Sequence, residues 1–114
     1  MNKPNHPLEH PQILELLQRI QENPDLTQRD LSSCLGISLG KVNFLLKALF
    51  KTGIIKIKRV KNSNNKLAYM YLLTPSGIEE KAKITFRFFK EKTKEYNRLK
   101  KEIEALREEL ALNE

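Results

Sequence analysis

The chain has 114 residues, of which 39% are hydrophobic and 31% are charged, and its formal net charge is +7. This length supports one small domain with an appended helix, because a second hydrophobic core would have too few apolar residues. The sequence has no apolar run of about 18 residues and no apolar stretch behind a basic N-terminus, so we expect a cytoplasmic protein without a transmembrane helix, a secretory signal or a membrane partner.

The positive charge is concentrated in the middle of the chain. Residues 31 to 78 hold 8 basic and 0 acidic side chains, whereas residues 79 to 114 hold 10 and 9. Ordinary protein surfaces intersperse both signs of charge. An acid-free stretch of this length therefore favours a nucleic-acid partner over the alternative, a basic face exposed only to solvent.

Residues 1 to 7 are predicted to form a flexible tail, because most of them are polar and two are prolines. From about Leu8 the chain has the spacing of an amphipathic helix, with Pro11 in the first turn and an end just before Pro24. Residues 25 and 26 then form a short connector that can pair as an edge strand. The core-facing residues of the helix are Ile13, Leu16, Leu17 and Ile20.

A second, short helix and a glycine-containing turn occupy residues 27 to 37. Thr27 as N-cap with Asp30 three residues later fits a capping box, and Gly36 supplies the left-handed residue that ends the helix. Cys34 lies beside the apolar stripe and is predicted to be a small buried residue. A redox-sensing thiol is the less favoured alternative, since no basic residue or second cysteine adjoins it.

Residues 38 to 52 are predicted to form a recognition helix with Ser38 as its N-cap. Apolar residues recur at i, i+3, i+4 and i+7, which buries one face and leaves cations, an amide and no carboxylate outside. Such a surface suits the base edges and phosphates of the DNA major groove. Helix, turn and basic helix together form a helix-turn-helix. The buried positions are Val42, Leu45, Leu46 and Leu49, and the outer ones are Gly40, Lys41, Asn43, Phe44, Lys47 and Lys51.

After Gly53 the pattern changes to the alternation of apolar and basic residues that is typical of a half-buried strand. Residues 54 to 73 are predicted to form a β-hairpin whose tip is the polar segment KNSNNK. A hairpin directly after a recognition helix is a wing, and residues 59 to 67 are expected to contact the DNA backbone or enter the minor groove. A solvated turn is the alternative. The candidate DNA-binding residues of the wing are Arg59, Lys61, Asn62, Asn64 and Lys66.

The last element, residues 75 to 114, is predicted to be a helix with Thr74 as N-cap and Pro75 in its first position. Apolar residues recur in a heptad pattern that is typical of a coiled coil, and the flanking charges pair favourably only in a parallel homodimer. The alternative is a helix folded back on its own core, but about 38 residues span about 57 Å, too long for so small a domain to cover. The candidate dimerisation residues are Phe89, Tyr96, Leu99, Ile103, Leu106 and Leu110.

Two segments, TQRDLSSCLGISLGKVNFLLKALFKTGIIKIK and KNSNNKLAYMYLLTPSGIEEKA, together with the charged helix that follows, resemble MarR-type winged-helix regulators. The likeness covers about residues 8 to 112 and is greatest to a small bacterial subgroup described as exopolysaccharide-associated transcriptional regulators. It implies sequence-specific binding of double-stranded DNA by a homodimer and control of exopolysaccharide genes. It assigns the DNA contacts of the recognition helix to Ser38, Gly40, Lys41, Asn43, Phe44 and Lys47.

This chain departs from the larger MarR-type proteins in its flanking helices. In those proteins, helices on both sides of the winged helix dimerise and enclose an effector pocket. Here the first helix is short and the last is single, which argues against a small-molecule effector. The predicted fold is mainly α with a small β-hairpin: a winged helix-turn-helix over residues 8 to 74, followed by a dimerising coiled-coil helix over residues 75 to 114.

No catalytic or metal-binding constellation is found in the sequence. His6 and His10 are four residues apart, but no cysteine or carboxylate cluster completes a metal site. The chain has no glycine-rich phosphate loop and no paired-cysteine motif, so we expect neither an enzyme nor a cofactor. The alternative to a DNA-binding regulator is a protein-interaction adaptor whose winged helix has lost DNA binding and whose coiled coil recruits another chain.

Overall fold

The computed structural model describes residues 7–61 and 64–113. Over these residues the order of elements is three helices, a β-hairpin and a long helix, which is a winged helix-turn-helix with a C-terminal helical extension. The predicted fold class is confirmed. The elements are α1 (Ile13–Glu22), α2 (Gln28–Leu35), α3 (Leu39–Lys51), β1 (Ile55–Lys61), β2 (Leu67–Leu73) and α4 (Pro75–Leu112).

The chain divides into two compact units, Met1–Ala82 and Lys83–Glu114. The first turns of α4 therefore belong to the first unit, and the rest of α4 makes up the second. The functional division at residue 75 stays a prediction, and most of the predicted flexible tail, residues 1–6, lies outside the described residues.

The core of the first unit is built from one face each of α1, α2 and α3, closed by the base of the hairpin. Burial of a leucine or isoleucine contributes about 1.5–3 kcal/mol, so this packing stabilises helices that are too short to persist alone. The core residues predicted for α1 and α3 are confirmed. The buried side chains, each at most 5% exposed, are Ile13, Leu16, Leu17, Ile20, Leu31, Leu35, Val42, Leu45, Leu46, Leu49, Ile54, Ile55 and Tyr71.

Helix α1 begins later than predicted. Pro7–Glu9 form a short 3-10 turn, and Pro11 lies in the turn that follows, outside α1. The imidazole and backbone of His10 explain the late start: its Nδ1 accepts a hydrogen bond from the Gln12 N–H, and its carbonyl accepts one from the Ile13 N–H, both at 3.0 Å. The placement of Pro11 in the first helical turn is therefore wrong.

The connector between α1 and α2 is a turn rather than an edge strand. The side-chain oxygen of Asn23 accepts a hydrogen bond from the Asp25 N–H at 3.1 Å, which folds the connector on itself. Its link to the hairpin is a bond from the Tyr71 N–H to the Pro24 carbonyl at 3.4 Å. The predicted strand at residues 25 and 26 is wrong, because this local turn takes the backbone out of the extended geometry that a ladder needs.

Helix α2 has the predicted caps. Thr27 Oγ1 accepts a hydrogen bond from the Asp30 N–H at 3.1 Å, and the Asp30 carboxylate accepts one from the Thr27 N–H at 3.0 Å. These bonds hold the pKa of Asp30 below its ordinary value, because they favour the charged carboxylate. Gly36, with φ of 67°, ends the helix in the left-handed conformation.

Cys34 is exposed, so its predicted burial is wrong. Leu31 and Leu35 define the buried stripe of α2. At about 100° per residue, Cys34 lies roughly 80° around the helix axis from the centre of that stripe. This offset places its thiol on the solvent side of the helix edge.

The helix-turn-helix is formed by α2 and α3.

No single helix in the described part of the chain is long and apolar enough to cross a membrane. Helices α2 and α3 reach that length and apolar content only when taken together, and the pair is bent by 111°.

The hairpin is antiparallel, with Ile55 opposite Leu73 and Lys61 opposite Leu67. At its base Ile55 and Tyr71 face the core, whereas Lys56 and Lys58 are exposed, as the alternating pattern predicts.

A close contact fixes the start of α4 against the turn that follows α3. The Thr74 hydroxyl accepts a hydrogen bond from the Gly77 N–H at 3.0 Å, as an N-cap does, and lies 2.5 Å from the Gly53 carbonyl oxygen. A Cβ atom added at Gly77 would lie 2.0 Å from the carbonyl oxygen of Ile54. Glycine is therefore required here for close approach of two backbones.

In the second unit the apolar seam of α4, formed by the six predicted dimerisation residues, is exposed to solvent. The six predicted dimerisation residues are 42% to 69% exposed. Ion pairs along the helix join Lys92 to Glu95 at 3.3 Å and Arg98 to Glu102 at 2.8 Å. Such exposed i,i+3 and i,i+4 pairs support the helix by a few tenths of a kcal/mol each.

Candidate nucleic-acid interface

The N-terminus of α3 is fixed by the predicted cap. Ser38 Oγ accepts a hydrogen bond from the Lys41 N–H at 3.0 Å, so the Ser38 hydroxyl oxygen is already engaged in the free protein. Gly40 follows on the exposed side, and a Cβ atom added there would meet no atom within 4 Å. Packing within the chain therefore does not require glycine at position 40.

The outer face of α3 is cationic with one large aromatic ring at its centre. Gly40, Lys41, Phe44 and Lys47 are all exposed, as predicted, and Phe44 is 59% exposed. The Lys41 ammonium lies 5.4 Å from the centroid of the Phe44 ring, within cation–π range. An exposed ring beside donors is a surface that can contact a thymine methyl group while lysines reach guanine or phosphate.

Asn43 is half-buried, unlike the other predicted contact residues of the helix, and its side chain is hydrogen-bonded to another side chain. Its Nδ2 donates to Oε1 of Gln28, at the start of α2, over 3.2 Å. Gln28 Nε2 in turn donates to the hydroxyl of Tyr71 on β2, over 3.1 Å. The three side chains come from α3, α2 and β2, and sequence spacing gives no signal that they meet.

The wing presents its basic residues on both faces of the hairpin. Arg59 and Lys61 alternate with Lys58, so they lie on the face that closes the core at the base of the hairpin. The Arg59 guanidinium lies 6.0 Å from the centroid of the Tyr69 ring, directly across the ladder. Asn64 and Lys66 are exposed next to the turn, and Asn62 lies outside the described residues. Asn65 takes a φ of 61°, which asparagine tolerates.

His10 is a half-buried neighbour of the predicted surface and is not one of its exposed residues. It packs beside the start of α3, and burial together with the charge of Lys41 lowers its pKa from the ordinary value of 6.5. Because its Nδ1 accepts from the Gln12 N–H, the neutral ring carries its proton on Nε2. Sequence reasoning considered His10 only as half of a metal pair, because the separation of 31 positions between His10 and Lys41 gives no sign that the two lie close together.

The described residues contain no cluster of three or more His, Cys, Asp or Glu side chains able to hold a metal ion. His6, the second member of the histidine pair, lies outside those residues. The arrangement of α3 and the wing offers exposed cations, an amide and an aromatic ring. It is the chemistry of a binding surface for a polyanion.

Comparison with known proteins agrees with this geometry. Residues 10–56 match a family model described as winged helix-turn-helix DNA-binding. The match covers α1 to the start of β1 and therefore includes the helix-turn-helix formed by α2 and α3. A search of curated proteins finds no match.

Three solved structures share the fold. The Staphylococcus aureus MarR, in complex with salicylate and kanamycin, is 19% identical over 75% of this chain and 55% of its own, with a TM-score of 0.57. MepR, a regulator of the Staphylococcus aureus efflux pump MepA, is 22% identical over 75% and 62%, with a TM-score of 0.55. Streptococcus pneumoniae FabT in complex with DNA is 25% identical over 73% and 56%, with a TM-score of 0.50. The chain thus covers 55% to 62% of the length of these proteins.

Proposed function

We propose that this chain is a sequence-specific, double-stranded DNA-binding transcriptional regulator that acts in the cytoplasm as a homodimer. In the proposed complex α3 lies in the major groove and the wing, residues 59–67, contacts the backbone or the minor groove. One observation carries the proposal: the exposed faces of α3 and the hairpin belong to a stretch with 8 basic and 0 acidic residues. The winged helix-turn-helix match and the DNA-bound structural relative support it.

The wing and the recognition helix have different proposed roles. Lysines and Arg59 at the hairpin contact phosphates, which supplies affinity without sequence information. Asn43 pairs with adenine, and Lys41 or Lys47 with guanine, which supplies discrimination of about 1–3 kcal/mol for each good contact. Ser38, Gly40 and Phe44 complete the proposed reading surface.

The homodimer is proposed to form through the seam of α4. An apolar stripe of this length, 42% to 69% exposed in a single chain, is covered when two copies pair as a coiled coil. In a parallel pair Glu95 of one copy lies beside Lys100 of the other, and Glu102 lies beside Arg107. An antiparallel pair sets like charges together. The pairs that Glu95 and Glu102 make within their own helix are exposed and worth only about 0.2–1 kcal/mol, so exchanging them costs little.

The first experiment selects binding sites for the purified full-length chain from a random duplex library. The affinity for the recovered site and for a scrambled duplex is then measured between about 50 and about 200 mM salt. A regulator binds the recovered site about 10³-fold or more tightly than the scrambled one and loses affinity steeply with salt. An adaptor without DNA binding yields no enriched site and no salt-dependent binding.

The regulated genes are the finest part of the proposal. The resemblance to exopolysaccharide-associated regulators leads us to propose that the recovered site occurs upstream of exopolysaccharide genes. Deletion of the chain's gene should change the abundance of the transcripts of those genes. Unchanged transcripts at genes that carry the site would remove this assignment while leaving DNA binding intact.

A further inference from the structure

Asn43 is the only predicted base-reading residue of α3 for which a side-chain to side-chain hydrogen bond is described, and that bond runs to a residue outside the predicted interface. Gln28 accepts from Asn43 Nδ2 at 3.2 Å and donates to the Tyr71 hydroxyl at 3.1 Å. We propose that Gln28 and Tyr71 are positioning residues that determine base specificity by holding the Asn43 amide in its reading orientation. The inference rests on the proposed function and adds to it.

The amide chemistry allows Asn43 to keep this bond while reading a base. A carboxamide has one oxygen acceptor and two N–H donors. Bidentate pairing with adenine uses the oxygen and one N–H, the two groups on the same edge of the amide. The second N–H points away from that edge, and it is the donor available to Gln28. The bond therefore leaves the reading edge unoccupied.

The same bond removes a freedom that an asparagine otherwise has. The terminal torsion of a carboxamide is broad and roughly two-fold, so an unsupported amide samples many directions. Ordering such an amide on DNA costs conformational entropy. Its freedom also allows it to pair with more than one base. With one N–H committed to Gln28, Asn43 has one remaining donor and one acceptor to offer. Adenine, with a donor and an acceptor in the major groove, matches this set, whereas guanine offers two acceptors.

Gln28 is itself well held. It is the first residue of α2, directly after the Thr27 cap, so its backbone is fixed by the capping box. Its outer partner Tyr71 is 4% exposed and lies on β2 opposite Ile57, so the hydroxyl is anchored by a buried ring. The chain of bonds runs from a packed strand of the wing to the reading helix. It is a support of the kind that functional side chains need to keep their geometry.

The test compares base preferences among variants of the full chain. Gln28→Met keeps the length of the side chain and removes both hydrogen bonds, and Tyr71→Phe removes only the outer one. Gln18→Met, at an exposed position of α1, is the matched control. The affinity of each protein is measured for three kinds of duplex: the selected duplex, a scrambled duplex, and duplexes substituted at particular base pairs. Those base pairs are the ones at which Asn43→Ala reduces the preference for one base.

We expect Gln28→Met to reduce discrimination at those base pairs about 5- to 10-fold, since a well-made bidentate contact is worth about that factor or more. Tyr71→Phe should reduce it less, and Gln18→Met should not change it. Affinity for the scrambled duplex should stay within about twofold in every case. Because Gln28 acts through Asn43, the double variant Gln28→Met with Asn43→Ala should discriminate no worse than Asn43→Ala alone.

Three results would overturn the inference, and each is distinct. Unchanged discrimination in Gln28→Met means that Asn43 needs no support. Equal losses on selected and scrambled duplexes, with a lowered melting temperature, mean that Gln28 only stabilises the fold. Additive losses in the double variant mean that Gln28 reads DNA by itself. A wild-type chain without any sequence preference instead contradicts the proposed function, which separates that failure from the other three.

Discussion

The two units of this protein use apolar residues at helical spacing in opposite ways. In the first unit the stripes of α1, α2 and α3 are at most 5% exposed, because each lies against the others and the hairpin. In the second unit the seam of α4 has similar residue types and a regular period, yet its residues are 42% to 69% exposed. The periodicity establishes a helix and a face in both cases. It does not say whether the cover comes from the same chain.

The charges differ between the two regions as clearly as the apolar residues do. The charged side chains of residues 31–78 are all basic, whereas residues 79–114 hold 10 basic and 9 acidic side chains. Some of the latter form ion pairs along α4, such as Lys92 with Glu95 and Arg98 with Glu102. A single-sign surface fits a polyanion, and a mixed surface beside an apolar seam fits another copy of itself. The proposed partners of the two regions, DNA and a second chain, follow from this contrast.

The largest expected effect comes from removing the apolar seam of the second unit while leaving the first unit intact. Leu99→Ala with Ile103→Ala should convert dimers to monomers, because each truncation of a residue buried in the coiled coil costs about 2–5 kcal/mol. Sedimentation measures the assembly, and binding to a duplex with two half-sites should weaken strongly. The first unit should keep its melting behaviour, since both residues lie outside its core. A variant that stays dimeric would place the interface elsewhere.

The second effect tests how closely the first unit is packed. Gly77→Ala should lower the free energy of unfolding by about 1–3 kcal/mol, because its Cβ would collide with the Ile54 carbonyl and force the start of α4 away. Gly40→Ala is the matched control. Position 40 is exposed in a helix with open space around it, so alanine should be neutral or stabilising by about 1 kcal/mol. Urea unfolding of both variants checks the pair, and equal responses would contradict it.

The third effect tests the contrast in charge. Lys61→Ala with Lys66→Ala should flatten the slope of log K against log salt by about 0.9 for each phosphate that the variant no longer neutralises. Sequence preference should survive, because these residues do not face base edges in the proposed complex. Lys94→Ala with Lys101→Ala removes the same charge from the mixed surface of α4, away from the apolar seam, and should leave the slope unchanged. If the second pair flattens the slope as much as the first, the DNA surface extends along α4.

The smallest effect concerns pH and the first unit. The folded chain holds the pKa of His10 below 6.5, so the unfolded chain binds more protons as pH falls through that region. Stability should therefore decrease below about pH 6.5, slightly, because the imidazole is only partly buried. His10→Asn should remove this decrease, which thermal melts at several pH values can measure. Asp30 acts lower: its contribution is present above 3.8 and is lost as pH falls below that value.

Most of the fold was predictable because its determinants are local. The i, i+3, i+4 spacing and the caps at Ser38, Thr27 and Gly36 gave α2 and α3 nearly to the residue, and alternation gave the hairpin. The errors at Pro11 and at residues 25–26 arose where a single side chain, His10 or Asn23, bonds its own backbone. Such bonds compete with regular structure and leave little trace in hydrophobic patterns.

The candidate site was predictable only as far as its surface. Exposure of Lys41, Phe44 and Lys47 follows from subtracting the buried face of one helix. The hydrogen bonds that support Asn43 do not follow in this way, because Gln28 is 15 residues from Asn43 and 43 residues from Tyr71. Nothing in composition or period specifies which side chains meet across three elements. That information is in the packing.

The exposed thiol of Cys34 provides a single site for a spectroscopic label. It is the single cysteine of the sequence, and it lies on α2, the first helix of the helix-turn-helix. A maleimide dye or nitroxide therefore attaches at one defined place per chain, with no substitution needed to remove competing thiols. In the proposed homodimer the two labels report one distance. The change in that distance when duplex is added measures how the two winged helix-turn-helix domains move to bind successive half-sites.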